Sequence, residues 1–141
     1  MELIIRSLIR KHKTNDPFKL AAALNILIRY ADFDEGTRGL YYRIMRRRFI
    51  VINSALSEQW QRVVCAHELG HDRLHPGISR FWLDEQTFFN PGKFERQANR
   101  FAVTLLTAGE SPREGELVEN FLRRNNIPPE MHLYITRGNQ P

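Results

Sequence analysis

The 141-residue sequence holds one cysteine, Cys65. No intramolecular disulfide can form and no cysteine-rich metal site exists, so any bound metal must use histidine and carboxylate ligands. Long apolar runs are missing too: none approaches the roughly 18 residues of a membrane span. The opening Met1-Glu2-Leu3-Ile4-Ile5-Arg6 is broken by Arg6 and Arg10, and lacks both the basic start and the small-residue cleavage site of a signal peptide. A cytoplasmic protein without membrane attachment is therefore expected. There is no internal repeat and no low-complexity segment. Acidic residues are the minority: the net charge is +5, carried by 17 Arg against 4 Lys. These charges are dispersed apart from Arg46-Arg47-Arg48, which lies between two strand-like runs and reads as a solvated hairpin turn. With no helix-turn-helix or zinc-finger pattern to place a helix in a groove, direct nucleic-acid binding is not expected.

What is present fits one domain spanning residues 1–141, long enough to bury roughly 68% of its unfolded surface. Leu3, Ile4, Ile5, Leu8 and Ile9 recur at helical spacing, making the first dozen residues an amphipathic helix. Asp16-Pro17 starts a second helix, with Asp16 as N-cap and proline at the first helical position, running through Lys19 to Leu24. Three strands follow: Ile26 to Phe33, then Leu40 to Met45 and Phe49 to Asn53 as a hairpin. Phe49-Ile50-Val51-Ile52 is apolar on both faces, the mark of an inner strand. Ser57 caps a helix with Glu58 in its first turn, carrying Trp60, Val63, Val64, His67, His71 and Leu74 and stopping near Pro76-Gly77. A long loop containing Phe81, Trp82, Phe88 and Phe89 leads to Asn90-Pro91-Gly92, and Lys93 to about Leu106 is helical again. Ser111-Pro112-Arg113-Glu114 reads as a capping box opening a further helix that ends near Asn125-Asn126. Pro128-Pro129 opens a last short segment. The order helix, helix, three strands, helices predicts an α+β fold with a small three-stranded sheet.

The chemistry concentrates at His67-Glu68-Leu69-Gly70-His71. Residues four apart on a helix lie one above the other, so His67 and His71 can direct two imidazole nitrogens at one point, as two ligands of a tetrahedral zinc. Glu68 lies about 100° around the helix from His67, within reach of an attacking water without itself becoming a ligand. That is the place of a general base, here the catalytic candidate. Gly70 lets another backbone element approach the helix. Two histidines on an apolar stripe can also be core residues, but without a metal their buried nitrogens would need other partners. Cys65 is on the wrong face and reads as a small buried hydrophobe.

A catalytic zinc keeps three protein ligands and an open position. A further histidine pattern beyond the motif would need Gly and His at 74 and 77, which hold Leu74 and Gly77. His75 is about 80° from His67 and points away from the shared focus, toward the helix C-terminus where a cation is favourable. The better third ligand is Glu95 on the next helix. Glu95 and Asn99 share a face, while Phe94, Ala98, Phe101, Ala102 and Leu105 form the packing stripe that turns that face toward the first helix. Asn99 can orient a ligand histidine through its free ring nitrogen. Asp72, Asp84 and Glu85 are lesser contenders, and His132 and Tyr134, candidates for an oxyanion donor, fit core or surface roles better.

Taken together, His67-Glu68-Leu69-Gly70-His71 and Glu95-Arg96-Gln97-Ala98-Asn99-Arg100-Phe101-Ala102 resemble the ImmA/IrrE family of metallopeptidases. Phe49 to Asn53, Leu56 to Arg62 and Asp16-Pro17-Phe18 are similar to it as well, so the resemblance runs roughly from Asp16 to Leu106. It implies a minimal gluzincin-like fold with zinc on His67, His71 and Glu95 and with Glu68 as base. It further implies a protein substrate, a partner helix-turn-helix repressor whose cleavage controls phage or mobile-element genes. The alternative class is a non-proteolytic regulatory binding module with a structural metal. Two positions depart from the family pattern. Gln97 stands where many members have Glu, which removes a rival ligand. Thr107-Ala108-Gly109 replaces a Met-Pro ending and is expected to alter the turn that follows.

Overall fold

The structure, a computed structural model, describes residues 1–33, 36–76, 80–83 and 92–135, with 80–83 described by their backbone. Helix α1 (Glu2–His12) buries Ile5 and Leu8 and ends on Lys13 in the left-handed conformation. Helix α2 (Pro17–Ala23) starts as its sequence dictates, the Phe18 amide donating to Asp16 Oδ1 at 2.9 Å. Strands β1 (Ile26–Ala31), β2 (Thr37–Ile44) and β3 (Arg47–Asn53) follow. Helix α3 (Glu58–Leu74) is capped by Ser57, which accepts from the Trp60 amide at 3.2 Å. Strand β4 (Arg80–Leu83) comes next, then helices α4 (Lys93–Leu106) and α5 (Val118–Arg124) and a 3-10 helix, Pro129–Tyr134.

The sheet order is β1-β3-β2-β4. β3 is an inner strand, parallel to β1 from Ile26↔Arg48 to Ala31↔Asn53 and antiparallel to β2 from Gly39↔Ile52 to Ile44↔Arg47. That matches its two apolar faces: Ile50, Val51 and Ile52 are all buried. The three expected strands are joined by a fourth. β4 lies where a loop was expected and pairs antiparallel with β2, Tyr41↔Arg80 and Leu40↔Phe81. Four residues are too few to show a period, and only the hydrogen-bonding edge of β2 reveals that they form a strand. Phe88, Phe89, Asp84 and Glu85 lie outside the described residues.

Two further expectations fail. Ser111 to Glu114 is not a capping box. The Arg113 amide donates to Glu116 Oε1 at 2.9 Å, Gly115 turns the chain at φ 75°, and α5 begins only at Val118. Arg124 holds this open loop through Glu116 and the Ser111 carbonyl, competing successfully with a helical first turn. Nor are Arg46 to Arg48 all solvated. The hairpin turns at Met45-Arg46, while Arg48 is inside β3 and reaches inward to Asp72 (3.0 and 3.1 Å) and the Leu24 carbonyl. After α4, the changed ending at Thr107 to Gly109 forms a turn in which Thr107 Oγ1 donates to the Val103 carbonyl at 2.7 Å.

Helix α3 is the middle layer. It packs on β2 and β3 on one side, on α4 on the other, and on α2. Val63 through Asp72 are consequently buried without a break, so an amphipathic stripe gives way to an all-round buried helix. Two glycines permit the close approach. A Cβ on Gly39 would stand 2.5 Å from Val64 Cγ1 and 3.1 Å from the Val51 carbonyl oxygen, so β2 could not lie so near α3 with any other residue there. A Cβ on Gly70 would stand 3.0 Å from Phe101 Cβ. Gly70 was expected to admit a backbone, and what it admits is the fully buried Phe101 ring of α4.

Candidate metal centre

The α3–α4 contact decides the site, because each helix supplies part of it. His67 and His71, one turn apart on α3, are both fully buried. Their rings meet edge to face with centroids 4.8 Å apart. Glu95, in the first turn of α4, sends its carboxylate between them: Oε2 is 3.0 Å from His67 Nε2 and Oε1 is 2.9 Å from His71 Nε2. One ligand-type atom from each of these three residues lies within 4.8 Å of the others. Donors arranged tetrahedrally around a zinc stand about 3.3 Å apart when each is roughly 2.0–2.1 Å from the metal. The spacing and the two-imidazole, one-carboxylate chemistry therefore fit a divalent cation.

Glu68 is fully buried beside this cluster, its Oε1 3.5 Å from His67 Nε2. Among the described residues neither of its oxygens has a hydrogen-bond partner. A buried carboxylate in that condition is costly unless something else in the site engages it. Burial first, and the Glu95 carboxylate second, push the Glu68 carboxyl well above the usual carboxylate range. For Glu95 burial acts upward as well, but the His67 and His71 imidazoles facing its two oxygens outweigh it and hold that carboxyl far below its usual value. The two glutamates, both beside His67, are thus shifted in opposite directions by their surroundings.

Asn99 lies one turn after Glu95, with its Oδ1 2.7 Å from His67 Nδ1. That oxygen can only accept, so His67 carries its proton on Nδ1 and turns the Nε2 lone pair toward Glu95 and the cluster. Asn99 also hydrogen-bonds Tyr134, whose hydroxyl is raised chiefly by burial. Tyr134 is buried, while His132 on the same 3-10 helix is exposed. Of the lesser ligand contenders, Asp72 is turned to the other side of α3. It accepts from Tyr41 at 2.6 Å and from Arg48, and burial and that bond raise the tyrosine hydroxyl further. Cys65 is buried, and burial drives its thiol well above its ordinary value. His75 stays out of the cluster, as its angle on the helix requires. It is nonetheless buried and in contact with His71: the two Nδ1 atoms are 2.9 Å apart, and its Nε2 is 2.7 Å from Gln97 Oε1. Sequence reasoning missed both contacts: the 71-to-75 spacing of one helical turn was there to find the first, whereas the second joins residues of two different helices.

Residues 21–115 match the IrrE N-terminal-like domain family of peptidases, designated M78. The chain belongs to that family. Two curated relatives span similar ground. Uncharacterized immunity region protein 2 of Bacillus phage phi105 is 40% identical over 102 residues, 72% of this chain and 65% of that protein. Metallopeptidase ImmA of Bacillus subtilis (strain 168) is 30% identical over 103 residues, 72% of this chain and 60% of that protein. The chain thus covers a little under two thirds of the length of each of these relatives. No solved structure matches it. The M78 family chain is metallopeptidase-like and related to a phage immunity-region protein, and a metal is implied by the family. Among the described residues no helix is long and apolar enough to cross a membrane.

Proposed function

We propose that this M78 family chain is a zinc-dependent endopeptidase. In this reading His67, His71 and Glu95 hold the metal, Glu68 is the general base and Asn99 positions His67. The observation that carries it is the convergence of three donor atoms from α3 and α4 within 4.8 Å, beside a buried carboxylate with no hydrogen-bond partner among the described residues. Among the described residues the set has three ligands, which leaves the open position of a catalytic rather than a structural zinc and favours hydrolysis over a binding module with a closed metal site.

A divalent cation held by His67, His71 and Glu95 would supply Lewis acidity, making a water more acidic and a peptide carbonyl more electrophilic. Glu68 takes the proton of the attacking water and holds it within the site, a task helped by burial that raises its carboxyl above the usual carboxylate range. The same group then returns the proton to the amine that leaves. Asn99 keeps the His67 ring and its tautomer fixed while this happens. Burial of the cluster excludes bulk water and strengthens each of these electrostatic interactions.

The substrate in this reading is a partner helix-turn-helix repressor in the cytoplasm, cleaved to release phage or mobile-element genes. Support comes from the immunity-region name of the phage phi105 relative and from the resemblance to the ImmA/IrrE family. Co-expression with a helix-turn-helix repressor from the same gene cluster, where one is encoded, followed by inspection for fragments, tests substrate and activity together. Glu68→Gln is expected to retain about one zinc per chain and lose at least a hundredfold in cleavage rate. Cleavage by metal-replete Glu68→Gln at the wild-type rate removes Glu68 from its role.

A further inference from the structure

His75 closes α3 as its C-cap, and one helical turn brings its ring over that of His71, centroids 5.1 Å apart. Phe94 also lies against it, centroids 4.3 Å apart at an interplanar angle of 32°, and Gln97 meets its far nitrogen. Both come from the first turns of α4, so α4 grips the end of α3 through one imidazole. The contacts form a line: His71 Nδ1 to His75 Nδ1 at 2.9 Å, then His75 Nε2 to Gln97 Oε1 at 2.7 Å. Two facing ring nitrogens can share one hydrogen bond only if one carries the proton and the other does not. An acceptor oxygen at Gln97 places the proton of His75 on Nε2. Its Nδ1 is then an acceptor, the proton of the contact belongs to His71 Nδ1, and the lone pair of His71 falls on Nε2, the atom 2.9 Å from Glu95.

We infer that Gln97 and His75 are positioning residues: the Gln97 carbonyl sets the tautomer of His75, which sets that of His71 and presents its Nε2 as a metal donor. The inference rests on the metal-site reading above and deepens it. His67 meets the Asn99 amide directly, whereas His71 meets the Gln97 amide through an imidazole relay. This gives Gln97 a use that a glutamine in place of a ligand-type carboxylate does not suggest. An amide accepts here without adding a second negative charge beside Glu95.

Zinc affinity, measured by competition with a chromophoric chelator, tests this without reference to activity. Loss of such outer partners weakens metal binding by about 10–100-fold. Gln97→Met, close in size but without an acceptor, and His75→Phe, which keeps a ring against Phe94, are each expected to bind zinc about tenfold or more weakly than the wild type. Their circular dichroism should stay native. Proton–nitrogen correlation spectra of the wild-type imidazoles need no variant and are expected to show His75 as the Nε2–H tautomer and His71 as Nδ1–H in the zinc-loaded chain. Unchanged zinc affinity in both variants, or His75 protonated on Nδ1 in the wild type, overturns the relay while leaving the metal site standing. Failure of the wild-type chain to take up zinc at all overturns the site reading itself and the relay with it.

Discussion

Gly70→Ala sets two opposed effects of similar size against each other. Alanine is favoured over glycine inside a helix by about 1 kcal/mol, and Gly70 lies well within α3. Against this, the new Cβ would stand 3.0 Å from Phe101 Cβ and 3.1 Å from its Cγ and Cδ1. Phe101 is fully buried and its Cβ is one bond from the α4 backbone, so the ring cannot swing aside. The helices must separate by a few tenths of an ångström, and overpacking of this kind costs about 1–3 kcal/mol. The expected balance is a loss of about 1 kcal/mol, roughly 3 °C in Tm for a chain of this length. Urea unfolding followed by circular dichroism, with chelator present so that metal linkage does not contribute, measures it. Because α3 carries His67 and His71 and α4 carries Glu95, zinc affinity should fall in the same variant. A chain stabilised by the full helix-propensity gain, with unchanged zinc affinity, would refute the claim that the helix separation is set by this contact.

Asp72→Ala leaves the Arg48 guanidinium and the Tyr41 hydroxyl without their shared carboxylate. Breaking a buried pair costs about 3–5 kcal/mol, and since Arg48 is 21% exposed a loss of roughly 2–3 kcal/mol is expected in urea unfolding. The Arg124 hydrogen bond lowers Glu116 to about 2, below the unfolded value of about 4.3. Its contribution is therefore complete above the unfolded pKa and fades as pH falls toward the folded one. The Tm difference between wild type and Glu116→Gln should narrow from pH about 4.5 to pH about 2, and a constant difference would show that the Glu116–Arg124 bond is absent in solution. Zinc at 100 times its Kd should stabilise the wild-type chain by about 2.7 kcal/mol and Glu95→Ala by far less at the same concentration. Equal thermal shifts would place the metal elsewhere.

The caps at Asp16 and Ser57, the strand bounds to within a few residues and the sharing of one helical face by His67 and His71 were readable because each depends on neighbours in the chain. Asp16, Ser57 and the 67–71 spacing act over one turn of helix, and a local rule suffices for them. Glu95 and Asn99 were readable for the same reason: four residues apart, on a face defined by the apolar stripe of their own helix. The misplaced elements share the opposite property. β4 exists because β2 offers an edge. The loop at Ser111 to Leu117 exists because Arg124 pulls on Glu116, and Arg48 turns inward because Asp72 is waiting 24 residues away.

From sequence alone came the donor types, their spacing within each helix and the one helix that could bear a base between two histidines, since covalent order and helical pitch settle these. How far apart the two helices lie was decided only in three dimensions. Gly39 and Gly70 let β2 and Phe101 close on α3, and that closeness carries the Glu95 oxygens to 3.0 and 2.9 Å from the imidazoles. It also brought Gln97 to His75, a contact between residues 22 apart in the chain. Packing distance between elements is a property of side chains meeting across space, and no periodicity along one helix encodes it.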